Sequence, residues 1–127
     1  MPVETERHIT RQSVRSRPDA LFVFGDNLER RGRGGQAAEM RGEPNAVGIP
    51  TKRAPRRDES AYFTDDDYST AVAAMRLDMI RLGEHVKQGG VVVIPADGIG
   101  TGLAELPTRA PRIHAYIQRC FEKLRGI

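Results

Sequence analysis

Four consecutive β-branched residues, Val91-Val92-Val93-Ile94, constrain this chain more than any other stretch. Successive side chains of a strand point to opposite faces, and none of these four is polar, so both faces of the strand must be covered. That is the pattern of a strand inside a layered α/β structure, not of a sheet with one wet face. A second run, Leu21-Phe22-Val23-Phe24, reads the same way. Asn45-Ala46-Val47-Gly48-Ile49-Pro50 reads as a third, shorter strand, with Pro50 tolerable at its end. The 91–94 strand is expected at the centre of the sheet, flanked by the other two. At 127 residues the chain has material for one core, so residues 1–127 are expected to form a single domain.

Helices are expected where the apolar period changes from two to between three and four. Tyr68, Ala71, Val72, Met75, Met79, Leu82 and Val86 line one face of a long helix ending near Gly89. Thr64 is its expected N-cap, and Asp65, Asp66 and Asp67 complement its dipole. Three consecutive carboxylates point in different directions on a helix, so no metal site is read there. Ile113, Tyr116, Ile117, Cys120, Phe121 and Leu124 form the core face of a closing helix that begins around Thr108 to Pro111. Gln36 to Arg41 reads as a short helix stopped by Gly42. From Glu6 to Val14 the only aliphatics are Ile9 and Val14, which makes residues 1–18 an edge strand or an extended arm. Arg53 to Thr64, rich in proline and charge without a period, reads as a loop able to close over a site.

Two glycine-rich stretches stand out against this frame. Phe24-Gly25-Asp26-Asn27 leads into Gly32-Arg33-Gly34-Gly35-Gln36, and the 91–94 strand leads into Pro95-Ala96-Asp97-Gly98-Ile99-Gly100-Thr101-Gly102-Leu103. Each follows a buried strand and precedes a helix. In α/β sheets that edge is where ligands bind, and a glycine loop there lets backbone N–H groups approach a phosphate. Neither stretch has the spacing of the P-loop or of the dinucleotide fingerprint. Thr51 and Lys52 follow the third strand at the same edge, so Asn27, Lys52 and the 98–102 loop can meet in one crevice. A lysine there is a phosphate contact or, if desolvated, a nucleophile.

Charge supports an anionic ligand. The net charge is +3, but up to Arg57 there are twelve Lys and Arg against seven acids, and beyond it eight against ten. A nucleotide, a nucleic acid or a merely solvated basic surface fits that bias. With 6% aromatics and no tryptophan, stacking platforms for nucleic-acid bases are scarce. The single cysteine, Cys120, excludes an internal disulfide and a cysteine zinc site, and its helical position reads as buried and inert. His8, His85 and His114 read as structural. No apolar run is long enough to span a bilayer, and Met1 to Pro18 lacks a signal-peptide core, so a cytoplasmic protein is expected.

The order strand, Gly25-Asp26-Asn27, Gly34-Gly35-Gln36-Ala37-Ala38, then Ile49-Pro50-Thr51-Lys52, then Pro95 to Leu103 and a closing helix resembles the macrodomain superfamily over roughly residues 21–124. The resemblance is closest to small bacterial and phage-associated macrodomain-like proteins and to the terminal-ADP-ribose glycohydrolase branch. It implies a three-layer α/β/α sandwich around a central mixed sheet that binds ADP-ribose or a related nucleotide, with no cofactor. It assigns Gly25, Asp26, Asn27, Gly32, Gly34, Gly35 and Gln36 to the distal ribose, Asp26 and Asn27 contacting ligand hydroxyls. Gly98, Ile99, Gly100, Thr101, Gly102 and Leu103 would hold the diphosphate, with Thr51 beside them.

In the glycohydrolase branch a lysine after the second of these strands attacks the anomeric carbon, and Lys52 stands in its place. The partner aspartate does not carry over: Gly102-Leu103-Ala104 replaces Gly-Leu-Asp, leaving Glu105 or Asp97 to assist. The implied activity is release of ADP-ribose from modified protein or nucleic acid. The alternatives are a non-catalytic binder or processor of free nucleotides or phosphorylated metabolites, and a basic nucleic-acid-binding protein. On this reading Gly35→Val and Gly100→Val should each abolish binding without unfolding the chain.

Overall fold

The computed structural model describes residues 2–127. Strands β1 (Val3–Glu6), β2 (Leu21–Asn27), β3 (Ala46–Lys52) and β4 (Val92–Pro95) form one sheet in the order β1-β4-β2-β3. Every strand pairing is parallel, where a mixed sheet was expected. Helices α1 (Arg11–Ser16), α2 (Ala37–Met40), α3 (Tyr68–Lys87), α4 (Leu106–Arg109) and α5 (Pro111–Arg125) connect and cover it. The protein is therefore of the α/β class. No helix among the described residues is long and apolar enough to cross a membrane.

Alternation along the strands explains the layering. Leu21 and Val23 of β2, with Val92 and Ile94 of β4, turn to one face and pack with Ala71, Met75 and Leu82 of α3 and Ile113, Ile117 and Phe121 of α5. Phe22, Phe24 and Val93 turn to the other face and meet Val14 of α1 and Ala37 and Met40 of α2. Val92, Val93 and Ile94 are all buried, as a strand covered on both sides requires. The chain moves across the sheet from β1 to β2 to β3 with its helices on one face, and returns from β3 to β4 by α3 on the other. Right-handed crossovers demand this arrangement.

Two expectations are corrected here. β4 is central, but its neighbours are β1 and β2; the Ala46 strand lies beyond β2 at the edge. The N-terminal segment does supply an edge strand, but only a short one, and it is not an extended arm. Val3–Glu6 pairs with β4 from Val3↔Val92 to Glu6↔Pro95, and the next residues turn into α1, capped reciprocally by Thr10 and Ser13. The closing helix starts at Pro111, within the expected range, and a separate short helix, α4, precedes it.

Thr64, expected as the N-cap of the long helix, caps the turn before it instead, and Asp67 is the N-cap of α3. Thr64 accepts from the Asp66 amide and Asp67 reaches back to the Thr64 amide, capping a 3-10 turn over Asp65–Asp67 that runs into α3. Asp67 also pairs with Arg53, and Asp65 Oδ1 accepts from the Arg112 amide at 3.0 Å, so two of the three consecutive carboxylates tie α3 to its neighbours.

Edge strand β3 is sealed along its outer side. The Ala46 amide donates to Glu43 O, the Gly48 carbonyl accepts from Arg30 Nη1 at 2.6 Å, and Pro50 has no N–H to offer. Past Pro50, the chain folds back through an antiparallel bridge between Lys52 and Tyr62.

Candidate ligand cleft

The carboxyl ends of all four strands open on one cleft of about 720 Å³. Its place follows from the topology. After β2 the chain leaves for one face of the sheet, and after the adjacent β4 it leaves for the other, so the two loops part and a crevice opens between them. All the residues read from sequence as ligand-binding line it, from Gly25 to Gln36, through Thr51, to the 98–103 loop, and so do Lys52, Asp97 and Glu105.

The second glycine loop is built into the core. Ile99, Ala104 and Leu106 are buried, Gly98 and Gly100 adopt φ of +80° and +75°, and the Leu106 amide closes back on Gly100 O at 2.8 Å. A Cβ at Gly100 would lie 2.9 Å from Leu106 Cδ2 and 3.1 Å from Thr51 Cγ2, and one at Gly25 would lie 3.4 Å from the Gly100 nitrogen. Strand β2, strand β3 and the loop thus meet at backbone distance. The expectation for Gly100→Val is corrected accordingly: the variant disturbs the core before it can report on binding. The backbone N–H groups of residues 99 to 104 have no hydrogen-bond partner among the described residues. A row of unpaired amides at a sheet edge is a cradle for an anion.

The first glycine loop is held differently, by polar anchors. Buried Asp26 accepts from its neighbour's amide, Asn27 N, at 2.8 Å and binds the Arg41 guanidinium through both oxygens. Arg41 also donates from Nε to Gly32 O at 2.6 Å and lies over the Phe24 ring. Asp26 is thus the counterion of Arg41 rather than a free acceptor for ligand hydroxyls. Asn27 is in the opposite condition. Its Nδ2 donates to Arg31 O at 2.7 Å, but its Oδ1, buried in a residue only 6% exposed, accepts nothing, and Gln36 Oε1 is a second buried acceptor without a donor. Two such acceptors on the wall of one cleft call for a ligand that donates hydrogen bonds.

Lys52 lies at the β3 end. Its Nζ donates to Arg56 O at 2.6 Å and sits 4.5 Å from the centre of the Tyr62 ring. Burial pushes its pKa down from the ordinary 10.5; Arg57 adds to that and, more weakly, Arg109, while Glu105 and Asp58 oppose it. Arg53, the next residue in the chain, is turned to Asp67. Of the two acids considered as partners, Glu105 is the one whose charge acts on Lys52; Asp97 is exposed at the head of the glycine loop, where its carbonyl accepts from Thr101 Oγ1.

Sequence reasoning missed Arg7, Arg41, Arg57 and Tyr62, all of which line the cleft. Tyr62 carries Arg109 at 3.8 Å as well as Lys52, and Arg109 pairs with Glu59 at 2.8 Å and Glu105 at 3.4 Å. An isolated arginine has no periodic signature, and its place at the cleft depends on strand order. The mixed charge and proline of residues 53–64 gave the one available signal, a loop beside Lys52.

Fold and cleft together define an α/β protein with a crevice, rich in arginine and unpaired amides, at the carboxyl edge of a parallel sheet. The chain belongs to a family of unknown function (DUF7831), which it matches over residues 4–120. No curated protein and no solved structure matches it.

Proposed function

We propose that the cleft binds ADP-ribose or a closely related nucleotide, in a three-layer macrodomain-like sandwich. The observation that carries this reading is the pairing of two complementary features on one crevice: a run of unpaired amides from residue 99 to 104, suited to a diphosphate, and the donor-seeking oxygens of Asn27 and Gln36, suited to a ribose diol. Calorimetric titration with ADP-ribose tests it; saturable binding is expected, and no heat at millimolar ligand overturns it. Asn27→Ala should weaken binding about tenfold, the scale of one lost hydrogen bond to a buried acceptor.

A second reading, hydrolysis, is favoured by Lys52. A half-buried lysine with a lowered pKa supplies a larger fraction of neutral amine near neutral pH. The neutral amine attacks the anomeric carbon of the distal ribose; the C–N bond forms as the glycosidic bond breaks, the modified group leaves with that bond's electron pair, and the proton lost by nitrogen passes through Glu105 to it. The ribosylamine opens to an imine, which water hydrolyses to release ADP-ribose and restore the amine. Nζ must leave Arg56 O to do this. Lys52→Arg keeps the charge and removes the nucleophile, so it should retain ADP-ribose binding and lose turnover. Borohydride should trap an adduct on the parent chain alone. Full turnover in Lys52→Arg overturns the role of lysine, and absence of turnover in the parent leaves a binding protein.

A further inference from the structure

Arg109 is not among the residues that line the cleft, yet it touches two that do. It stands in the last turn of α4, after the second glycine loop, with its side chain 26% exposed. One guanidinium makes three contacts there. Its carbon lies 3.8 Å from the centre of the Tyr62 ring, the ring that also carries Lys52 Nζ at 4.5 Å. Its Nε donates to Glu105 Oε1 at 3.4 Å, and its two terminal nitrogens donate to the two oxygens of Glu59 at 2.8 and 3.2 Å. Only a planar, five-donor cation can lay its face on a ring while its edges hold carboxylates. The residues it touches are themselves constrained. Tyr62 and Lys52 stand opposite each other in the antiparallel bridge, so their side chains share a face, and whatever fixes the ring also limits where the amine can go. Glu105 takes a left-handed backbone at φ +49°, uncommon for a residue with a Cβ. Such a turn at a cleft persists where its surroundings over-determine it, and Arg109 holds this one twice, through its amide to Glu105 O at 2.9 Å and through its side chain to the carboxylate.

On this geometry, and resting on the hydrolytic reading above, we infer that Arg109 is a positioning residue, which sets the Lys52 amine against the Glu105 carboxylate by holding the Tyr62 ring on one side and Glu105 on the other. It touches no substrate atom. Its charge has a second effect on the same amine. Arg57 and Arg109 disfavour the charged form of Lys52, and Glu105 and Asp58 favour it. By pairing with Glu105, Arg109 also blunts the carboxylate that would otherwise keep the amine protonated. Glu59 completes the arrangement from outside, tying residues 53–64 to α4 through the same guanidinium.

The full chain has three lysines, and Lys87 and Lys123 are exposed, so competitive acetylation by trace acetic anhydride, read by mass spectrometry, reports Lys52 against two internal standards. Both acids that hold Arg109 are at least half exposed, and ion pairs of that kind add little stability, so variants at this position fold. Arg109→Met should lower Lys52 labelling near neutral pH at least about threefold against the standards, because the amine is more often protonated. Mere loosening of the site would instead expose the amine and raise its labelling. On an ADP-ribosylated substrate Arg109→Met should lower kcat about a hundredfold, the scale of a misplaced reacting group, with KM and the affinity for free ADP-ribose within about threefold of the parent. Arg109→Lys keeps the charge without the fork, so it should bring labelling back to within about twofold and recover kcat only in part. Lys52 labelling in Arg109→Met that equals or exceeds the parent's overturns the inference, as does an unchanged kcat in that variant or full recovery of kcat in Arg109→Lys. A parent that turns over no substrate removes the hydrolytic reading, while labelling still decides whether Arg109 governs Lys52, so the two failures are distinguishable.

Discussion

The two glycine-rich loops do similar work at adjacent strand ends and are kept in shape by different forces. The 98–105 loop is fixed by contact with the core: Gly100 lies against buried Leu106 and Thr51, and its nitrogen lies close to Gly25 of the neighbouring strand. The 28–36 loop stands off the core. Gly34 and Gly35 face only the exposed Leu103 side chain and Gly32 faces exposed Pro55, and the loop is tethered by hydrogen bonds from Asn27 and Arg41 and by Arg30 reaching Gly48 O and Asp78. A loop held by contact keeps its shape regardless of salt or pH, whereas one held by charge can be loosened by either. The side of the cleft formed by the 98–105 loop should therefore be preformed and the side formed by the 28–36 loop adjustable.

Substitutions at matched positions break that contrast most directly. Gly100→Val forces a branched side chain into a left-handed residue against buried Leu106 and should cost about 4 kcal/mol or leave the chain unfolded, read by urea denaturation. A midpoint unchanged from the parent would mean the second loop is not part of the core. Arg41→Met strands the Asp26 carboxylate, 3% exposed, without its counterion; a loss of about 3 kcal/mol is expected, largely restored when Asp26→Asn is added. If the double variant is no better than the single, the first loop is not held by that pair.

Gly35→Ala sits at φ +56° in open space and should lose only about 1 kcal/mol. Its effect belongs on ADP-ribose affinity, and a variant that binds normally would detach the first loop from the site. The smallest effect concerns pH. Because burial lowers the Lys52 pKa, the unfolded chain holds more protons between that value and 10.5, so stability attributable to Lys52 rises with pH through this window. Below the window the penalty for burying the charge is present in full. Lys52→Arg should flatten this part of the stability profile, and on the hydrolytic reading proposed above turnover in the parent should climb to its plateau at a pH under 10.5.

The sequence revealed chemistry more readily than it revealed neighbours. Both glycine loops, Thr51 and Lys52 reached the same cleft because each follows a strand with a strong local pattern, and parallel strands deliver their ends to one edge. The strand order was hidden, since periodicity assigns a face to Val93 but not a partner; only the register of Val3 with Val92 places β1 beside it. Four residues with two charges among them, Val3–Glu6, carry too little pattern to be read as a strand. Asp26 illustrates the other limit: its place before Asn27 suggested a ligand contact, while its commitment to Arg41 depends on a helix end fifteen residues away.

The outer side of β3 has a consequence for how the protein behaves among copies of itself. An edge strand normally offers a ladder on which another chain can continue the sheet, the first step of strand exchange and of fibre growth. Here an amide is spent on Glu43, a carbonyl is occupied by Arg30, a proline interrupts the donors, and the returning chain at Tyr62 occupies the end. A strand that must stay at the margin so that its last residue can reach the cleft is thereby made unattractive as a template. At high concentration, growth of the sheet from this margin should be suppressed so long as Arg30 keeps its hold on Gly48.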